Sequence, residues 1–409
     1  MTLQSQAFDL AQLKAAFADG DDDTRLSIVQ QLETQAFGKD QFSALVDWLI
    51  EVMGDESWQV RKEAVAATLR IEDEPLLAAK LVEAMSEPDN IGRRNAVIEA
   101  VSKLGPICLD PLLAALGQKP EHRKVLVDVL GTYGDTRVIP ALGQALLDED
   151  ANVRAAAMEQ LASFSSEEVI PALRAALASP DMLVALAALD GLNRQQIALR
   201  LDEILPLKDA VALRPAMMTA LGNTQNAQAV PLLIAGLTDK ARGAREAALV
   251  ALFRLYKQLD GAGQKLVVDS SRVLDEMAVR SSLRALLEAT PKVRQATAAL
   301  LGWTGKREML RPLMLALGDS DPNVRETTGQ AILHMGPEAL SVLCDMLPTL
   351  DARSRANAFQ FFLQHAASIG DETLRKRIHL LLTYGAQDKN AATAHAAQQA
   401  LLAYPAPRP

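Results

Sequence analysis

The residues of this chain best able to do chemistry are five histidines, two cysteines and two glycine–lysine stretches. The histidines are His122, His334, His365, His379 and His395. None stands in an H-E-x-x-H arrangement, the spacing that sets two imidazoles on one helix face for a metal. His365, His379 and His395 are 14 and 16 residues apart, so only a fold that stacks their segments could gather them at one end. Isolated polar or capping histidines are the simpler expectation. Cys108 and Cys344 are too few for a disulfide scaffold or a cysteine-based zinc cluster, and both sit in apolar segments where a thiol packs as a small hydrophobe. GWTGKRE (302–308) has a Gly-Lys pair but not the full phosphate loop, and it follows a helical pattern rather than a strand. DGAGQK (260–265) reads as a hinge between helices, and no G-x-S-x-G serine elbow occurs. No catalytic residue, metal or cofactor is therefore assigned.

The elements around these residues are far more regular. At 409 residues the chain exceeds the roughly 250–300 that one core fills, so it is either several domains or a repeat array. With 49% hydrophobic and only 4% aromatic residues, its apolar content is mostly Ala and Leu, which favours stacked thin helices. Segments such as QVRKEAVAATL (59–69), NVRAAAMEQLA (152–162), KVRQATAALLG (292–302) and NVRETTGQAILHMG (323–336) each open on a basic residue followed by apolar positions at helical spacing. The leading arginines are Arg61, Arg93, Arg123, Arg154, Arg214, Arg245, Arg294, Arg325 and Arg355, mostly 30–32 residues apart. The 60-residue gap after Arg154 holds a degenerate copy, and the 49-residue gap after Arg245 marks an irregular hairpin with an insertion, 245–293. Between these lie second helices such as VIPALGQALLD (138–148) and AVPLLIAGLTD (229–239). Pro140, Pro171, Pro231 and Pro312 suit their first turns, where a missing N–H has no partner to lose. Gly131, Gly222 and Gly302 read as left-handed residues closing the first helices. No strand-length alternation appears, so the fold is expected to be all-α.

An acid stands six residues before most leading arginines: Asp19/Arg25, Asp55/Arg61, Glu87/Arg93, Asp148/Arg154, Asp239/Arg245, Glu288/Arg294 and Asp319/Arg325. A carboxylate at that turn can accept backbone N–H bonds, and the guanidinium can bond carboxylates or free carbonyls. Recurrence argues for a structural ladder, since an active site is built once and a staple is built in every copy.

The D-x-x-x-x-V-R-x-x-A pattern with its V-I-P-A-L partner resembles HEAT repeats, in the short-period form first named from phycobilisome lyases. The resemblance covers about residues 10–405. It implies a right-handed α-solenoid of about eleven or twelve stacked helical hairpins over 1–409, with an acidic cap at 1–50 and a frayed tail at 404–409. It further implies an interaction scaffold whose concave face, lined by second helices, holds a protein or peptide. The iron-dependent deoxyhypusine hydroxylases share the repeat but use His-Glu dipeptides as ligands, and no such dipeptide occurs here.

Charge and aromatics supply the surface candidates. The net charge of −9 is uneven: residues 1–100 carry −10 and residues 241–312 carry +6. The basic stretch includes Arg254, Lys257, Lys265, Arg272, Arg280 and Arg284, and it can meet an acidic partner. Trp58, Tyr133 and Trp303 stand in turns, and Phe361 points away from the shared face of Phe359 and Phe362. These four, with Arg280 and Arg284, are the partner-binding candidates. Each aromatic could equally seal a seam between hairpins.

The expected activity is therefore non-catalytic protein binding. A bilin lyase-like subunit is the first alternative, because the resemblance reaches that class. Nucleic-acid binding through 241–312 is the second, and overall acidity with few aromatics argues against it. No apolar run reaches the roughly 18 residues of a membrane span. No secretion signal is evident, so a cytoplasmic location is expected. The oligomeric state is not encoded in any pattern found.

Overall fold

The computed structural model describes residues 10–32, 41–71, 74–85, 90–118 and 122–405. Among them every regular element is helical and no strand occurs. The chain divides into two compact units, Met1–Gly191 and Leu192–Pro409, where the repeat pattern alone draws one array. Each unit is itself a stack of helical hairpins, an all-α solenoid architecture.

The arginine-bearing helices include Trp58–Thr68, Ala151–Ser163, Arg242–Gln258, Pro291–Thr304, Pro322–His334 and Ala352–His365. The residue before the arginine turns into the core: Val60, Val153, Val293 and Val324 are all buried. Starts are set by aspartate caps the repeat pattern did not single out, with Asp150, Asp321 and Asp351 accepting backbone N–H bonds of the first turn. Each such cap stabilises its helix by about 1 kcal/mol.

The second helices are short: Ile139–Ala145, Ile170–Ala176, Val230–Gly236 and Leu310–Ala316. Their prolines fall in the first turn, as expected. Each helix is entered through a 3-10 turn that the sequence did not disclose, at Thr136–Val138, Glu167–Val169, Ala227–Ala229 and Arg307–Met309. Leu142, Leu173, Leu233 and Leu313 are fully buried, each contributing roughly 1.5–3 kcal/mol. They lock the second helix onto its arginine-bearing partner.

The glycines at 131, 222 and 302 correct an expectation. They lie inside helices Arg123–Thr132, Arg214–Asn223 and Pro291–Thr304, not past their ends. The left-handed residues come three positions later, at Gly134 and Gly305, both with φ 63°. The internal glycines instead allow close approach. A Cβ on Gly222 would sit 2.7 Å from the Cα of Ala251, and one on Gly302 would sit 2.5 Å from the Cβ of Ala331. Successive arginine-bearing helices thus touch backbone to backbone.

A test follows from the sign of two substitutions. Gly222→Ala is expected to destabilise by about 1–2 kcal/mol, because overpacking against a backbone outweighs the gain in helix propensity. Gly143→Ala, in a second helix with no heavy atom within 4 Å of the added Cβ, is expected to stabilise by ~0.5–1 kcal/mol. Equal shifts in urea midpoint for the two would refute the close-approach role.

At the C-terminal end the frayed tail does not begin where expected. Tyr404 is 1% exposed and its hydroxyl donates to the Phe362 carbonyl at 3.0 Å. Residues 406–409 of that tail lie outside the described residues, as do 1–9 and 33–40 of the acidic cap. The described part of the cap packs normally, with Phe17 edge-on to buried Trp48 at 5.7 Å.

Candidate functional site

The acid–arginine ladder exists, but its rungs run forward. In its full form, at Arg25, Arg154, Arg294 and Arg355, a guanidinium turns back to a carbonyl of its own turn and forward to the carboxylate of the next hairpin; other copies make one of the two contacts. Backward, Arg61 donates to the Asp55 and Glu56 carbonyls at 2.7 and 2.9 Å, and Arg154 to those of Asp148 and Glu149 at 2.9 and 3.0 Å. Arg325 does the same at Asp319 and Ser320. Forward ion pairs in the first unit are Arg25–Asp55 at 2.9 Å, Arg123–Asp148 at 2.8 Å and Arg154–Asp181 at 3.0 Å. Those of the second unit are Arg214–Asp239 at 3.2 Å, Arg294–Asp319 at 2.7 Å and Arg355–Asp388 at 2.9 Å. Each acid also accepts the N–H two residues on, as Asp55 does from Ser57 at 2.8 Å and Asp319 from Asp321 at 2.8 Å. The expected pair Glu87/Arg93 falls partly outside the described residues, because Glu87 is not among them.

These bonds hold several rung carboxyls below their ordinary range. At Asp148 burial pushes upward, but the Asp150 N–H and Arg123 outweigh it. Burial also pushes Asp319 upward and is overcome by Arg294 and the Asp321 N–H. For Asp388 the Asn390 N–H leads, against burial and with help from Arg355.

The irregular hairpin breaks the ladder. After its arginine-bearing helix come two helices instead of one, Gly261–Arg272, which is inserted, and Glu276–Glu288, with Asp260 capping the first. The hinge expected at 260–265 is thus this cap and the first helical turn. Glu288 ends the second helix and is exposed, instead of standing in a turn. Arg294 therefore turns back to the Ala289 carbonyl at 2.9 Å, and the expected Glu288/Arg294 rung is absent. Arg245 keeps its backward bonds to the Asp239 and Lys240 carbonyls, at 2.7 and 3.0 Å. Forward, its Nε finds no acid and donates to the Ser281 hydroxyl at 3.1 Å.

Beside this broken rung lies a groove of about 870 Å³ between helices Arg242–Gln258 and Glu276–Glu288. One wall presents Arg242, Arg245 and Leu249, and the other Met277, Arg280 and Arg284. Spacings of three, four and seven residues put each set on one helix face. Arg280 pairs with Glu276 at 2.5 Å and Arg242 with Glu246 at 2.6 Å, while Arg284 is exposed without an ion-pair partner among the described residues. The rest of the basic stretch does not form a single face, since Arg254 bonds Asn223 and Arg272 bonds Asp269.

The aromatic candidates separate. Trp58 is 61% exposed at the start of its helix, with the Lys62 ammonium 5.8 Å from the ring. Tyr133 is half-buried and its hydroxyl donates to the Val101 carbonyl at 2.7 Å, so it ties one hairpin to the next. Trp303 is 5% exposed under Tyr256, with ring centroids 4.5 Å apart. Together with Phe253 these two rings form the aromatic wall of a second groove of about 790 Å³. Phe361 is 3% exposed and lies where a Cβ on Gly329 would fall, 2.8 Å from its ring. Neither Trp303 nor Phe361 is an exposed anchor; both seal seams.

The remaining chemistry-bearing residues also have local duties. Burial pushes the thiols of Cys108 and Cys344 up to about 11, which leaves them protonated at neutral pH. His379 donates through Nδ1 to the Tyr404 carbonyl at 2.7 Å, His395 meets Gln399 at 2.9 Å, and His365 packs on Phe361 with ring centroids 5.0 Å apart. Among the described residues no group of three His, Cys, Asp or Glu side chains is placed to hold a metal. The lysine of GWTGKRE clips a neighbouring turn, with Lys306 Nζ donating to the Leu274 carbonyl at 2.9 Å.

The sequence matches the HEAT repeats over residues 10–102, 109–193 and 280–361. The unmatched stretch 194–279 includes the inserted helix Gly261–Arg272. No curated protein matches the sequence. Among solved structures, the karyopherin Kap121p bound to the extreme C-terminus of the protein phosphatase Cdc14p aligns with 97% of this chain and 52% of its own, at 13% identity and a TM-score of 0.50. Kap121p bound to Ste12p aligns with 96% and 52%, also at 13% identity and 0.50. The CpcE–CpcF complex of phycocyanin lyase from Nostoc sp. PCC7120 aligns with 59% of this chain and 94% of its own, at 17% identity and 0.36. The chain thus spans about half the length of the karyopherin chains it matches. At these identities the likeness is one of fold.

Proposed function

We propose, from the premise that this chain belongs to the HEAT-repeat family, that it is a non-catalytic scaffold holding a protein partner on its arginine-bearing helices. The observation that carries this reading is the division of labour among its charges. The ladder commits arginines and aspartates of regular hairpins to holding the stack, while the irregular hairpin leaves a groove rimmed by guanidiniums open to solvent. A stack repeated for its own stability, with one hairpin enlarged by an inserted helix, points to that hairpin as the place of use. Kap121p, with a like fold, is seen bound to the extreme C-terminus of Cdc14p and to Ste12p, but likeness at 13% identity speaks to fold only, so the reading rests on this chain's own surface. Among the described residues no helix is long and apolar enough to cross a membrane.

The test is cross-linked affinity capture from native lysate with the full chain as bait, read by mass spectrometry. A stoichiometric protein partner whose cross-links fall on the arginine-bearing helices is the expected result. Turnover of a small molecule by the purified chain, with no partner retained, would sink the scaffold reading. No change in a bilin's absorption spectrum is expected on mixing, and a shift would favour a lyase-like role instead.

A further inference from the structure

We propose that the groove between helices Arg242–Gln258 and Glu276–Glu288 receives an acidic segment of a protein partner, one of whose carboxylates completes the broken rung at Arg245. The proposal rests on the scaffold reading and deepens it. In six other copies the forward side of such an arginine meets an aspartate of the following hairpin, as at Arg214–Asp239 and Arg294–Asp319, whereas Arg325 makes only backward carbonyl bonds. At Arg245 a neutral hydroxyl stands in that place, with Ser281 Oγ 3.1 Å from Nε. A hydroxyl satisfies one donor of the fork, whereas a carboxylate would satisfy two and add charge.

The surroundings favour the same chemistry. Ser281 is flanked on its own helix by Arg280 and by Arg284, three residues on. Three of the four acids lining the groove are engaged, Glu246 with Arg242, Glu276 with Arg280 and Asp239 with Arg214, which leaves Glu288 at one end against Arg245 and Arg284. Arg284 has no such partner among the described residues. Met277, 62% exposed, and Leu249 give the groove an apolar edge and floor that suit the aliphatic parts of a peptide. A nucleic acid fits less well. Its continuous phosphates would meet the glutamates interleaved with the arginines, and no aromatic side chain lines the groove for base stacking. Discrete carboxylates on a peptide can alternate with those glutamates.

The experiment titrates the full-length chain with a fluorescein-labelled octaglutamate peptide at low salt, with octaglutamine and an oligo-dT strand as comparators. Saturable anisotropy change with octaglutamate alone, weakening as salt rises, is expected. Reversing both exposed charges, Arg280→Glu with Arg284→Glu, is expected to weaken binding by about tenfold or more. Ser281→Asp supplies the carboxylate from the chain itself. It is expected to weaken the peptide to a similar degree without lowering the thermal midpoint, which separates occupancy of the rung from misfolding. Arg137→Glu, an exposed site in the other unit, should change nothing. Octaglutamate that fails to bind, that binds all variants alike, or that is outcompeted by oligo-dT overturns the proposal. Capture of the same lysate partner by wild type and by the Arg280→Glu, Arg284→Glu variant would also overturn it, while leaving the scaffold reading intact.

Discussion

Replacing Tyr404 with alanine is expected to cost about 3–5 kcal/mol of the stability of the last hairpin, the range for removing a buried aromatic. The ring is buried to 1% exposure and lies under the Arg375 guanidinium, 4.7 Å from the centroid. Its hydroxyl holds the Phe362 carbonyl, and its own carbonyl accepts from His379. Arg375 also donates to the Ala403 carbonyl at 3.0 Å, so one guanidinium fixes both the ring and the backbone leading to it. Burial pushes the phenol up to about 12, so the hydroxyl remains a donor at any working pH. Tyr404→Phe should lose only the hydrogen bond, about 1 kcal/mol. Hairpins in a stack interact with their neighbours alone, so the damage should start locally. Hydrogen exchange should therefore lose protection first in helix Ala391–Leu401, at lower denaturant than in helix Ala352–His365. Unchanged protection in Tyr404→Ala would show that the residue merely trails along the surface.

What could be read in advance followed what repeats. The V-R dipeptide and the proline of the second helix each recur at a fixed place, so their roles were legible from spacing alone. Val153 is buried and Pro140 opens its helix for reasons that need no knowledge of neighbouring hairpins. Contacts between hairpins were harder. Arg123 has no acid six residues before it, yet it holds Asp148, because the rung depends on how one hairpin stacks on the next. Gly222 and Gly302 carry the composition of a helix end, and only the approach of a second backbone shows that they sit inside. Trp303 and Phe361 were readable either as binding anchors or as seam residues for the same reason: which side of the seam a ring takes is decided by the partner helix.

The irregular hairpin was visible as a 49-residue interval with positive charge, but its consequence was not. Helix Glu276–Glu288 runs on through the acid that spacing assigned to the ladder, so the acid faces solvent and Arg245 loses a carboxylate. A helix that runs onto its acid, where regular second helices stop three residues short of theirs, thus converts a staple into an opening, and element boundaries are what sequence patterns locate least well.

The ladder itself supplies the second large effect. Asp319→Ala is expected to destabilise the protein by about 2–3 kcal/mol, because it strands a mostly buried guanidinium and an N–H at once. Arg294 reaches Asp319 with two nitrogens, Nε at 2.8 Å and Nη2 at 2.7 Å, and Asp319 also accepts from Asp321. Asp319→Asn keeps an oxygen for the Asp321 N–H and should cost less, about 1–2 kcal/mol. Asp148→Asn should cost less again, roughly 1 kcal/mol or below, since Arg123 offers one nitrogen and its side chain is 32% exposed. The pH dependence has a definite sign. Asp148, Asp319 and Asp388 all have carboxyl groups held below their ordinary value in the folded protein. The unfolded chain therefore binds more protons in the acid range, and stability rises with pH there. Their contribution is complete above the unfolded carboxyl value of about 3.9 and fades as pH falls through the lower folded values. Urea midpoints from neutral pH to about pH 3 should fall steeply below pH 4 for the wild type. Asp319→Asn should start lower at neutral pH and lose less on acidification, so the two curves converge. Parallel curves would mean that the Arg294–Asp319 rung carries no proton-linked stability.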